Sequence, residues 1–510
     1  MYEKTILLIR PFFKNNFEIN PPLGLLSIGS YLVNNGYPVK IIDVIAGDNY
    51  KEDIEANIKN YLFIGISAMT AQVPYALEIS KYIKSMDNKI PVVWGGIHPT
   101  LYPKQVIADP NIDIVVPGEG EYACLELANH LKGENNGIKQ VPGILYKDNN
   151  RNIVVSDKIN RPVDLNSLPF LNYDLLYIEK YAYKNIDPTF SYSWVRTVGR
   201  HLSVIGSLGC KYRCAFCVNP IVYKRTQRMK SAGRLLDEIE YLMNKYNISF
   251  FYIRDEDFFG DKERIMEFLN LIEKKNLRFK WHTNVKASYF KNSYINEGLL
   301  KRMERAGLFY LSVGAESGSR RVLEILKKDI RLDDIRRVAT FTKSTRIVIV
   351  FSFMIGIPDE GVEDVLKTIK FIRELKKINP KIFINGPQLY RPYPGASLYE
   401  LCIRKGYNEP KNLADWVQAL DRYSGYLSLE ELPWVNQSGT FKLIYLYSRV
   451  MFKNVFTLKR DFRLLYKAPL FLFLKLIAEF RFRSNLWSIP FEVVLHSLFI
   501  KKHKKKKEYV

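Results

Sequence analysis

Cysteine, histidine and acidic side chains are all scarce in this 510-residue chain, and each shortage excludes something. Five cysteines, three of them within eight positions, are no disulfide framework, and no charged stretch followed by a short apolar one opens the sequence. A reducing, cytoplasmic setting is therefore expected. Long apolar runs are missing too. APLFLFLKLIAEF ends after 13 residues, contains Lys475 and Glu479 and begins beside Pro469, which is too short and too charged for a spanning helix. No solenoid-type repeat occurs. The acidic deficit is the largest imbalance: 53 Asp and Glu face 76 Lys and Arg, a formal charge of +23. Such an excess attracts anionic lipid, acidic substrates or nucleic acid. Nucleic acid is the weakest of these, because no RNA-binding signature accompanies the charge.

What is present is organised by periodicity. A chain this long exceeds one core, and its 47% hydrophobic content excludes general disorder. In residues 1–136 the runs KTILLIR, VKIIDV, FIGISAM, VVWGG and DIVVPGEGE alternate with amphipathic patterns, which predicts a doubly wound, Rossmann-like parallel sheet. Residues 137–195 lose this rhythm, and DLNSLPFLNYDLL reads as a connector. A second α/β series over 196–400 predicts a partial barrel of about six strand-helix units. Residues 401–510 are expected to be a mainly helical, basic region. Its last sixty residues hold 14 Lys and Arg against 4 Asp and Glu. WSIPFEVVLHSLFI followed by KKHKKKK suits a peripheral contact with the inner membrane face, with an ordinary solvated tail as the alternative.

The chemistry begins at GSLGCKYRCAFCVNP. Cys210, Cys214 and Cys217 follow an apolar strand and a Gly-rich bend, so one loop can wrap three thiolates around one 4Fe-4S cluster. A structural zinc site normally needs four ligands, and the loop holds no fourth Cys or His. Three ligands leave one iron open. Phe216 is placed to pack on an adenine. Asp255 and Asp257 in DEDFF close a strand on the side where carboxylates bind substrate or move protons, or else cap the next helix. Cys124 and Cys402 sit in apolar helical patterns and are expected to be packed.

With its CxxxCxFC loop followed by SVGAESGS and FMIGIP, the chain resembles a radical S-adenosylmethionine enzyme. The resemblance implies that the cluster cleaves S-adenosylmethionine. It further implies cofactor binding by Gly314, Glu316, Ser317 and Gly318 near the nucleoside and methionine parts, and by Gly356 and Pro358 beside adenine. A carboxylate after a strand, such as Glu316, is otherwise read as solvated or capping.

The N-terminal segments PPLGLLSIGSYLVNNGY, IIDV, GISAMTAQ, VVWGGIHPT and VPGEGE resemble the cobalamin-binding domain attached to many such enzymes, the class B radical methylase type. Ser67, Met69, Thr70, Gln72, Gly95, Gly96, His98, Gly118, Glu119, Gly120 and Glu121 would line the corrin cleft. Asp43 is followed by Val44 and Ile45 where cobalamin mutases have a histidine, so cobalt would be held without that lower ligand. His98 is the nearest alternative ligand; beside Gly-Gly and Pro it reads more simply as a loop hydrogen-bonder.

Together these imply a cobalamin-dependent C-methyltransferase. It would act on an unactivated carbon of a natural product or lipid-like substrate through a 5'-deoxyadenosyl radical, drawing electrons from a donor such as flavodoxin or ferredoxin. Radical oxidation, cyclisation or rearrangement without methyl transfer is the first alternative, and a non-catalytic sensor the second.

Overall fold

Buried on both faces, the first five apolar runs form a parallel sheet. The computed structural model describes residues 4–13, 20–134, 137–160, 162–182, 199–422, 432–435, 439–452, 468–484 and 487. Strands β1 (Thr5–Arg10), β2 (Val39–Asp43), β3 (Tyr61–Ser67), β4 (Val92–Gly95) and β5 (Ile114–Val116) lie in the order 2-1-3-4-5. Ile6 to Ile9 in β1 and Phe63 and Ile64 in β3 are buried because helices cover both faces, which is why they read as unbroken apolar runs. The strand order reverses between β1 and β3, the place where such sheets open a ligand crevice at their carboxyl ends.

Residues 137–195 are more than a connector. Strand β6 (Leu145–Lys147) pairs antiparallel with β5, and β7 (Ile153–Val155) pairs with β6. Asp148 closes the intervening turn by accepting from the amides of Asn150 and Asn152 at 2.9 and 2.8 Å. Both strands are only three residues long, and β7, at the sheet edge, is mostly exposed, so neither carries a run long enough to be read as a buried strand.

The second sheet holds six parallel strands: β8 (His201–Val204), β11 (Phe250–Ile253), β12 (Lys280–Val285), β13 (Leu308–Glu316), β14 (Val348–Ile355) and β15 (Phe383–Leu389), in the order 8-11-12-13-14-15. A ribbon of β9 (Ser207–Gly209) and β10 (Gln227–Met229) projects after β8. This is the expected partial barrel. One apolar cluster runs from Ile6 and Leu26 through Tyr173 to Trp281 and Phe351, so the two α/β units share a core.

The carboxyl ends of the two sheets face each other. Arg10, the last residue of β1, donates to the Asn20 carbonyl at 2.6 Å, and Arg254, just after β11, donates to the Asn20 side chain at 2.5 Å. Glu119, after β5, forms an ion pair with Arg228 on β10, and helix Ile97–Leu101 packs on Asn219–Val222.

Part of the C-terminal region folds back on this frame. Helix Leu413–Arg422 lies on helix Val73–Met86 and inserts Leu413 and Trp416 into the outer core of the first sheet. Helices Gly439–Phe452 and Ala468–Ser484 pair with one another, and the former packs on helix Val362–Ile378. Among the described residues no helix is long and apolar enough to cross a membrane. Apart from Trp487, the expected interfacial segment and the lysine run that follows it lie outside the described residues.

Trp416 is the main apolar anchor of the returning helix. Trp416→Ala is expected to cost about 3–5 kcal/mol locally. Urea unfolding followed by circular dichroism should show a lowered midpoint, and an unchanged midpoint contradicts the anchoring.

Candidate active site

The cysteine loop leaves β9 and is fixed at its centre. Between the second and third cysteines, the Ala215 amide donates to the Leu326 carbonyl at 2.8 Å, and the Ala215 carbonyl accepts from the Leu398 amide at 2.8 Å. The three thiols are free and half-buried. Burial pushes Cys210 up to about 11 and raises Cys217 as well, so protein alone does not favour the thiolates. A bound cation would, since metal binding drives the proton off a thiol. Among the described residues no three Cys, His, Asp or Glu side chains could hold a single metal ion. Thiolates that each take a different iron of one cluster need not converge on a point, so the donor set fits a cluster.

Around the loop stand residues from the barrel strand ends. Glu316 ends β13 with φ 61°, a left-handed conformation a glutamate rarely adopts, and its buried carboxylate accepts from Lys328 Nζ at 2.8 Å. A Cβ on Gly314 would lie 2.4 Å from Glu316 Oε1 and 2.7 Å from Lys328 Nζ, so any larger residue there would push the two tips of this pair aside. Burial works against the Lys328 charge, but Glu316 together with Cys214 and Cys217 outweighs it and the pKa is raised. The same ammonium lies 5.3 Å from the centre of the Phe216 ring. Ser317 and Gly318 turn away from the loop: the Ser317 hydroxyl meets Thr368 Oγ1 at 3.0 Å, and Gly318 packs on the Val362–Ile378 helix backbone. Gly356 and Pro358 follow β14 and are buried; the Gly356 carbonyl accepts from Trp434 Nε1 at 2.8 Å.

The two aspartates of DEDFF do not reach the cleft. Asp255 is fully buried and accepts from the Gly206 amide at 2.6 Å, while Asp257 is buried and accepts from Tyr289 at 2.8 Å. Neither caps the next helix, a role taken by Asp261. The residue between them, Glu256, is the accessible carboxylate. It accepts from the Gly209 amide at 3.2 Å, and burial pushes it up to about 7.

On the facing sheet, Ser67, Met69, Thr70, Gly95, Gly96 and Gly118 to Glu121 gather at the carboxyl edge, with Met69 and Gly118 exposed. Gly96 has φ 96°, and a Cβ there would lie 2.9 Å from the Ala68 carbonyl, so glycine lets the β3 and β4 loops close together and leaves a smooth backbone floor. Gln72 is buried as a clamp, accepting from the Met69 amide at 2.9 Å and donating to the Pro11 carbonyl at 2.8 Å. Gly120 packs on Ile28, and Glu121 accepts from Ser27. His98 lies beneath this edge, closed off from its open face. It is fully buried, 3.3 Å from Thr70 Oγ1 and edge-on to Trp416, and burial pushes it down to about 3. The helix that hides it lies more than three hundred residues along the chain. Asp43 is likewise buried, paired with Arg10 and accepting from Tyr181.

Comparison with known proteins decides the family. Residues 17–128 match the B12 binding domain and residues 204–372 the radical SAM superfamily. An uncharacterised methyltransferase of Pyrococcus horikoshii is 31% identical, over 75% of this chain and 78% of its own. The chain belongs to the B12-binding radical SAM enzymes. An anaerobic magnesium-protoporphyrin IX monomethyl ester cyclase of Rubrivivax gelatinosus is 25% identical over 74% of this chain and 66% of its own. Among solved structures, the cobalamin-dependent S-adenosylmethionine radical enzyme OxsB superposes with TM-score 0.70 at 18% identity, covering 99% of this chain and 76% of its own. The radical S-adenosylmethionine methyltransferase TsrM of Kitasatospora setae gives 0.62 at 17%, covering 83% of each chain. The cofactors of the B12-binding radical SAM family are a 4Fe-4S cluster, S-adenosylmethionine and cobalamin.

For this B12-binding radical SAM enzyme, three polar residues beside the loop escaped the sequence reading: Glu256, Lys286 and Lys328. Lys286 follows β12, lies 3.1 Å over the Tyr212 ring, and is pushed down to about 8 by burial. Lys286 is the residue next after β12, a signal that finds it when applied to every strand end; Glu256 and Lys328 each lie three residues past their strand or helix, behind other charged residues, so position alone does not single them out.

Glu360 supports the loop after β14 by accepting from the Gly356 and Ile357 amides at 2.6 and 3.2 Å, and burial pushes it up to about 8. An unfolded glutamate loses its proton near 4.5. Between these values the folded state holds the extra proton, so the wild type loses stability as pH rises from about 5 to 8. Glu360→Gln keeps an acceptor for both amides without the charge. Its melting-temperature advantage should grow over that interval, and a pH-independent difference contradicts the reading.

Proposed function

We propose that this chain is a cobalamin-dependent radical C-methyltransferase, acting on an unactivated carbon of a small natural product or lipid-like molecule. One observation carries the reading: the cysteine loop and the glycine-rich edge of the first sheet belong to strand ends that face across one interface, joined by Glu119 and Arg228. Two cofactors held there could address one substrate.

Cys210, Cys214 and Cys217 would hold the cluster, leaving it one iron without a protein ligand on which S-adenosylmethionine could bind. Phe216, Gly356 and Pro358 supply the apolar and backbone surface for adenine. Glu316, Gly314 and Lys328 form the polar wall beside them, with Ser317 and Gly318 supporting it from behind. Ser67, Met69, Thr70, Gly95, Gly96, Gly118, Glu119, Gly120 and Glu121 receive the corrin, while Gln72 and His98 hold that edge from beneath. Glu256, titrating near neutrality, is the residue suited to exchange a proton with substrate. When bound, the cluster supplies the electron that opens S-adenosylmethionine, and the cobalamin carries the methyl group. The protein's part is to orient substrate between the sheets and exclude water.

A lipid-like substrate is supported by Phe473, Leu476 and Phe480, exposed at helical spacing on one face of helix Ala468–Ser484. Ring closure without methyl transfer is the second reading, favoured by the similarity to the magnesium-protoporphyrin cyclase. A sensor fits poorly, since an open iron serves only to activate a ligand.

Anaerobic reconstitution with cobalamin, dithionite and methyl-labelled S-adenosylmethionine, in the presence of a small-molecule extract of the source cells, separates these readings. Methylation predicts 5'-deoxyadenosine together with a labelled product; deoxyadenosine with an unlabelled cyclised product favours the second reading. Cys214→Ala should lower deoxyadenosine at least a hundredfold while cobalamin is still retained, and undiminished cleavage contradicts the loop's role.

A further inference from the structure

Reductive cleavage needs one electron from outside, and among the described residues a well-defined approach leads to the cysteine loop. The inner side of the loop faces the barrel and the first sheet. Its outer rim carries Lys211, Arg213, Lys224 and Arg225, all exposed. Arg213 lies between Cys210 and Cys214, so anything seated on it is separated from the cluster position by the loop alone. Beyond Arg213 opens a broad cavity of about 800 Å³, lined by Arg320, Lys327 and Arg331 among others.

The acidic residues of this cavity do not cancel that charge. Asp329 is held by Arg213 at 3.2 Å and Asp333 by Arg336 at 2.6 Å, which leaves Glu324 against Arg320, Lys327 and Arg331. These cations are exposed and spread over an open surface on long side chains, an arrangement that suits another protein's face better than a buried small anion. The net charge of +23 extends the same attraction to longer range.

We infer that this rim is the docking surface for an acidic one-electron carrier protein. The step is a single electron transfer: the reduced carrier is oxidised by one electron, the oxidised cluster is reduced by one, and no bond changes in either protein. The inference rests on the reading of the cysteine loop as a cluster site, but the binding surface is testable apart from it.

The test compares the reconstituted wild type with a variant carrying Arg320→Glu, Lys327→Glu and Arg331→Glu, using reduced flavodoxin as the probe. Calorimetric titration measures binding, and bleaching of the visible cluster absorbance measures the rate of reduction. Binding and rate in the wild type should fall steeply as salt rises from about 50 to 300 mM, because screening shortens the reach of the charges. In the variant both should drop at least tenfold at low salt, while dithionite bleaches both proteins equally and their melting temperatures agree. Equal flavodoxin binding by both proteins, or wild-type binding indifferent to salt, overturns the docking surface. A failure of dithionite to bleach the wild type instead overturns the cluster reading, and the calorimetric comparison still decides the surface.

Discussion

A guanidinium from each α/β unit converges on Asn20. Arg10 closes β1 and takes the Asn20 carbonyl; Arg254 follows β11 and takes the Asn20 side chain. Parallel sheets collect their functional residues at the carboxyl ends, because the loops there are free of the packing that fixes the rest. Turning two such ends together makes one cleft from two sets of loops. Arg228 and Glu119 tie the same edges at a second point, and the shared core from Ile6 to Phe351 opposes sliding of one unit over the other.

Electrostatics within the cleft is tuned by burial. Desolvation raises Cys210, Cys217 and Glu256 and lowers Lys286, each toward its neutral form. Lys328 goes the other way, raised by the Glu316 carboxylate and the neighbouring cysteines against its burial, and Gly314 provides the space for Lys328 and Glu316 to meet. The left-handed Glu316 backbone is the local cost of turning that carboxylate toward Lys328. The outcome is a pocket poor in fixed charge except where a charge has a partner, the setting in which reactive carbon radicals survive.

Much of the architecture was legible because it rests on long apolar runs. β1 to β5 and the barrel strands through β14 each announced themselves as a buried run followed by a polar or glycine-rich turn. β15 did not, since FINGPQL breaks its own pattern with Gly386 and Pro387. The hairpin of β6 and β7 is short and half-exposed, so nothing distinguished it from a connector. For the site, the cysteine spacing was sufficient alone. The side chains around it were harder, because the strand-end rule locates a position without giving a direction. In DEDFF it singled out Asp255 and Asp257, which turn inward to Gly206 and Tyr289, and passed over Glu256. His98 was lost to a contact that no local window contains, the docking of Trp416.

In this arrangement the cysteine loop and the glycine-rich edge of the first sheet open on one cleft. Electron paramagnetic resonance of the protein loaded with both cofactors, with the cluster reduced and cobalamin in its one-unpaired-electron form, tests it directly. The two spins should couple, so that each signal is broadened or split relative to protein loaded with one cofactor alone. Two unperturbed signals that simply add would mean that the cofactors lie apart, and would contradict it.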